Sequence, residues 1–97
     1  MPLYIYYNEV EILIPGSNSL KDRRMVVRSI KDKITNKYDI IVNIENDNDS
    51  KKRIKIYFVS SSFNKDYLFD LNQKISKFLI YNYDLTIVNE EKEIIRM

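Results

Sequence analysis

Ninety-seven residues with a formal net charge of +2 fit one small domain and leave no room for a second core. The absence of Cys and His excludes disulfides and thiolate metal sites and removes the commonest general base. No apolar run reaches the length of a membrane span, and Met1-Pro2-Leu3-Tyr4 lacks the basic start of a signal peptide, so the expected location is cytoplasmic.

The chain opens on a period-2 pattern that predicts a strand over residues 3–14. Tyr4, Tyr6, Val10, Ile12 and Ile14 share one face, and Ile5, Tyr7 and Leu13 take the other. Pro15-Gly16 ends the strand, because proline lacks a ladder donor and glycine tolerates the turn. Ser19 is placed to cap a helix over residues 20–36, with Asp22 three residues later in the acidic position of a capping box. Leu20, Val27, Ile30 and Ile34 form its apolar stripe, broadened by Val26. A second strand is expected over 38–45, led by Tyr38, Ile40, Val42 and Ile44. The polar run Asn46-Asp47-Asn48-Asp49-Ser50 reads as a hairpin tip. A third strand spans 53–61, with Ile54, Ile56 and Phe58 on one face and Arg53, Lys55, Tyr57 and Val59 on the other.

Ser60-Ser61-Ser62 and Asn64 offer caps for a second helix over 65–81, whose stripe is Leu68, Leu71, Ile75 and Phe78 with Leu79 beside it. Residues 85–89 form the last strand, and the charged tail 90–97 extends or solvates it. The order β-α-β-β-α-β predicts an α+β, ferredoxin-like sandwich: a four-stranded antiparallel sheet with both helices on one face. Residues 1–97 then make one domain. The uncovered sheet face carries Ile5, Tyr7, Leu13, Ile41, Tyr57 and Val59, more apolar and aromatic surface than a sheet leaves to water without use.

These elements bring a family resemblance into view. Val10-Glu11-Ile12, then Ile14-Pro15-Gly16, then Ser19-Leu20-Lys21-Asp22-Arg23-Arg24 follow a pattern in which the last piece usually reads S-L-K-[ED]-[KR]-R. Glu91-Lys92-Glu93-Ile94-Ile95 matches an E-[RK]-E-I-[LI] close. Over nearly its whole length the chain resembles the YlxP-like family of small bacterial proteins. The resemblance implies a ferredoxin-like fold and a role near the ribosome, without a defined chemistry. One segment departs from the pattern: Asp49 and Arg53 fit the family's D-L-W-Q-R-A-like hairpin, but Ser50 and Lys51 replace its Leu and Trp.

Four groups of residues stand as candidate sites. Lys21, Arg24, Arg28 and Lys31 are spaced to share one helix face. Residues 20–37 hold seven basic and two acidic side chains. That density fits a phosphate-backbone footprint for ribosomal RNA or a ribosomal assembly, against the alternative of a solvated face. Tyr7, Leu13, Tyr57 and Val59 on the open sheet face fit an interface, in the simplest case a homodimer, and base stacking on the two tyrosines is the lesser alternative. Glu45, Asp47 and Asp49 alternate like ligands for a hard cation but lack the glycine of a calcium loop, so a turn is the simpler reading and no metal is expected. Ser60-Ser61-Ser62 has no histidine to activate a nucleophile and reads as capping. No cofactor motif is present, since the single Gly16 rules out a glycine-rich phosphate cradle. The expectation is therefore a non-enzymatic RNA- or ribosome-binding protein, with a homo-oligomeric interaction module as the alternative.

Overall fold

The computed structural model describes residues 1–14, 20–45 and 53–97, with the side chains of Leu20 and Lys21 left out. Expectations for Pro15, Gly16, Ser19, the Leu20 and Lys21 side chains and the hairpin tip fall outside the described residues. Six elements follow in the order β1 (Tyr4–Leu13), α1 (Leu20–Tyr38), β2 (Ile41–Glu45), β3 (Arg53–Ser62), α2 (Lys65–Asn82) and β4 (Thr86–Arg96). The strands form one sheet in the order β2-β3-β1-β4. Every neighbouring pair is antiparallel. This is the ferredoxin-like α+β arrangement, and β1 and β3 are its central strands.

The alternation along β1 and β3 decides which face is covered. Tyr6, Asn8, Val10 and Ile12 are buried, as are Ile54, Ile56, Phe58 and Ser60. Opposite residues in an antiparallel ladder share a face. The register sets Val10 against Ile56, Ile12 against Ile54 and Asn8 against Phe58. Val27, Ile30 and Ile34 of α1 and Leu71, Ile75 and Leu79 of α2 close over that layer in one apolar cluster. Each such side chain, fully removed from water, contributes about 1.5–3 kcal/mol before entropy is counted.

The helix ends have clear causes. Asn64 caps α2: its side chain accepts a hydrogen bond from the Tyr67 amide at 3.2 Å. The Ser62 hydroxyl accepts from the Asn64 amide at 3.0 Å. At the far end the Tyr83 amide donates to the Leu79 carbonyl at 3.2 Å. The buried stripe of α2 runs through Leu68, Leu71, Ile75 and Leu79, while Phe78 is only half-buried.

One expectation needs correction and one alternative is resolved. Tyr38 does not lead the second strand, because α1 continues through it and β2 starts at Ile41. Asp39 then adopts φ 53°, and its amide donates to the Thr35 carbonyl at 3.0 Å, which stops the helix with a left-handed cap. The Tyr38 ring instead packs edge-on against Phe78, with ring centroids 6.2 Å apart. The charged tail, which the sequence left either to extend the last strand or to solvate it, extends it: β4 runs to Arg96 along the full length of β1. Between Glu11 and Ile12 its register slips by one residue, because Ile12 faces Ile87 while Glu11 faces Asn89. Val88 is the extra residue of a β-bulge. The charged run beyond it hides a strand whose phase has been reset.

Candidate functional site

The first-helix cations gather as their spacing requires. Arg24, Arg28 and Lys31 are exposed. With Val27 and Ile44 they line one depression of about 250 Å3. Residues three and four apart stack along a helix face, and here that face overhangs the edge strand β2. Val27 and Ile44 supply an apolar floor, and the long basic side chains stand around it. Among the described residues, none of the three makes an ion pair. Lys21, the fourth expected member, falls outside the described side chains. The other cations of α1 do not join this patch. Lys33 lies 5.8 Å over the Tyr83 ring, and Lys37 lies 5.0 Å over Phe78 and 5.6 Å over Tyr38. They cover the aromatic seam between the two helices.

The open sheet face differs from its expected character. Tyr7, Leu13, Tyr57 and Val59 all lie on it and all are half-buried. Tyr7 and Tyr57 approach with ring centroids 6.2 Å apart, tilted by 37°. Between them the ladder sets a run of carboxylates that periodicity did not single out. Glu9 stands opposite both Tyr57 and Glu91, Glu93 opposite Tyr7, and Glu11 and Glu45 opposite Lys55. Against these five acids the same face offers Lys55 and Arg53, and Arg53 reaches Glu11 at 3.5 Å. The surface is therefore acidic around its tyrosines. Its apolar end is confined to Ile5, Tyr7, Ile41, Val59 and Ile95, near the start of β1.

The phenols register that field. Tyr57 donates a hydrogen bond of 2.6 Å to Glu45. This bond, with burial and Glu9 behind it, pushes the phenol well above its ordinary value of 10.0. Burial raises Tyr7, and Glu9 and Glu91 add to the shift. A tyrosine whose folded-state pKa is raised contributes stability that is present below the unfolded value and is lost as pH rises through the folded one. In an absorbance titration, Tyr57→Phe is therefore expected to remove tyrosinate amplitude only at pH values well above the ordinary phenol range near 10. Equal loss across the whole titration would show that the Glu45 bond does not hold the proton.

The remaining candidates are quickly placed. Glu45 is on the open face, while Asp47 and Asp49 fall outside the described residues, as do Ser50 and Lys51 of the departing hairpin segment. Ser62 serves the α2 cap, as expected. The tail residues Glu90 and Lys92 pair at 2.7 Å on the helix side of β4. That bond raises the Lys92 pKa. Asn8 is fully buried, and its side-chain amide has no partner among the described residues. No helix of the described residues is long and apolar enough to cross a membrane.

Comparison with known proteins places the chain by family and by fold. No curated protein matches its sequence. A solved structure titled "Structural Genomics, protein YJCS" is similar with a TM-score of 0.62 at 9% identity, covering 92% of this chain and 96% of that one. At that identity the likeness concerns the fold. A de novo designed protein, Foldit4, aligns over 98% of this chain and 96% of its own with a TM-score of 0.49 and 12% identity. The sequence pattern of one family matches residues 5–92, nearly the whole chain, and the protein belongs to that family, described as Protein of unknown function (DUF503).

Proposed function

We propose that this chain is a non-enzymatic, YlxP-like RNA-binding protein that meets ribosomal RNA or a ribosomal assembly through the α1 ledge. The observation that carries the reading is the convergence of Arg24, Arg28 and Lys31 on one exposed depression without ion pairs among the described residues. Cations that no carboxylate neutralises are available to phosphates. The open sheet face supports the same orientation from the other side, since its acids repel a phosphate backbone. RNA then approaches over α1 and the β2 edge and not across Tyr7 and Tyr57, unlike sheet-face readers that stack bases on aromatics. Lys21 completes the stripe by spacing. With four phosphate contacts on single-stranded RNA, the log–log dependence of affinity on salt has a slope of roughly −3. A fluorescence-anisotropy titration over a series of salt concentrations measures it, and a flat response overturns the proposal.

A second reading rests on the apolar end of the open face, where Ile41 is 61% and Ile95 42% exposed. A second copy seated there forms a homodimer, and Ile41→Glu abolishes it. Sedimentation that shows a monomer at all concentrations removes this reading.

A further inference from the structure

The sheet has a notch beside its short edge strand. β2 begins at Ile41, opposite Val59, while β3 runs on to Ser62. Ser60 and Ser61 are held on one side by Tyr6 and Ile5 of β1. On the other side the ladder has stopped. A cavity of about 340 Å3 fills this corner. It joins the two faces of the sheet, since Ile41 and Val59 belong to the open face while Ile40 and Leu71 belong to the core side. The volume lies at the small end of the range for ligand pockets, roughly 300–1,000 Å3.

Two polar groups of its lining matter here. Ser60 is only 7% exposed, yet its hydroxyl makes no hydrogen bond among the described residues. Its oxygen is not among the fully enclosed unpartnered side-chain atoms, so it is reachable from the cavity and can bond what enters. Asp39 stands at the rim with φ 53°, directly after α1. Glycine is the usual occupant of that helix-ending position, because a Cβ is disfavoured there. Aspartate is one of the few other residues that tolerate it, and here it sets a carboxylate at the cavity rim. Among the described residues, Asp39 is the only charged one in the lining.

We propose that this notch binds a small organic amine with an apolar body. The ammonium bonds the Asp39 carboxylate at the rim and donates to the Ser60 hydroxyl. The body lies against Ile41, Val59 and Leu71. A carboxylic acid of the same shape is rejected, because it meets Asp39 and no compensating cation. The site shares no residue with the α1 ledge, so it stands whether or not the ledge binds RNA.

The test is a pair of NMR titrations of the full chain with 2-phenylethylamine and with phenylacetate, which have similar bodies and opposite charges. The amine is expected to shift the Asp39 and Ser60 amides and the Ile41, Val59 and Leu71 methyls saturably, and the acid to leave them in place. Asp39→Asn keeps a side chain tolerated at positive φ but loses a charge-assisted hydrogen bond, so the amine affinity falls about tenfold. Ser60→Ala weakens it by a smaller factor. Absence of a saturable shift with the amine, equal shifts from both probes, or an unchanged affinity in Asp39→Asn each overturn the proposal.

Discussion

Replacing Arg24 and Arg28 together by Glu is expected to abolish single-stranded RNA binding at moderate salt while leaving the melting curve in place. Both side chains are exposed and without ion pairs among the described residues, and substitutions of that kind usually change stability by no more than about 0.5 kcal/mol. Binding responds far more strongly. Each phosphate contact on a single strand contributes about 0.7 to the salt slope, so the neutral pair Arg24→Gln and Arg28→Gln brings it from roughly −3 to roughly −1.5. The Glu pair adds repulsion to that loss. Arg23→Gln is the control, since Arg23 does not line the depression. Loss of affinity that is the same in the control and in the double variant would falsify the ledge as the contact surface. Anisotropy with a labelled single strand, beside thermal melts of each variant, gives both readouts.

The largest loss of stability is expected from Phe58→Ala. Phe58 is 1% exposed and sits in β3, a central strand, facing Asn8 on one side and Val42 on the other. Neither neighbouring strand can close over the space, because each is held in register by its own ladder. Truncating a buried Phe costs about 3–5 kcal/mol through lost transfer and the cavity left behind. Domains of this size have about 5–15 kcal/mol in total. The variant should therefore unfold at much lower urea with an unchanged slope. Tyr57→Ala is the contrast, one residue earlier on the other face and half-buried, and it should cost far less. Equal midpoints for the two variants would mean that the core does not lie on the helix side.

The sequence revealed most where one period governed a whole element. Alternation in β1 and β3 and the stripes of both helices named most of the buried apolar residues of each, from Val10 to Ile75, but not the buried polar residues Asn8, Ser60 and Asn72. The basic ledge was legible for the same reason: three helix positions at spacings of four and three must share a face. The acidic open face was not legible. Glu9, Glu45, Glu91 and Glu93 are scattered through the chain, and only the pairing of all four strands assembles them. The end of α1 was misread because Tyr38 fits a strand pattern as well as a helix, and the left-handed turn at Asp39 has no side-chain pattern that announces it. The notch depends on how far β2 falls short of β3, a matter of element ends, where local sequence says least.

The bulge at Val88 has a further effect, on the charge of the open sheet face. In an unbroken ladder with the same pairing of Ile12 to Ile87, the open face would receive Val88, Glu90, Lys92 and Ile94. That set is greasy and electrically balanced, well suited to face-to-face stacking between copies. The slipped register instead turns Asn89, Glu91 and Glu93 outward and sends Glu90 and Lys92 to the other side, where they pair with each other. One unpaired residue thus sets which side chains of β4 face outward. Deleting Val88 alongside a compensating insertion after Arg96 keeps that polarity, whereas straightening the strand without deletion inverts it. The charge that β4 presents on the open face is thereby governed by a phase shift in one ladder, through the direction in which a fixed set of side chains points.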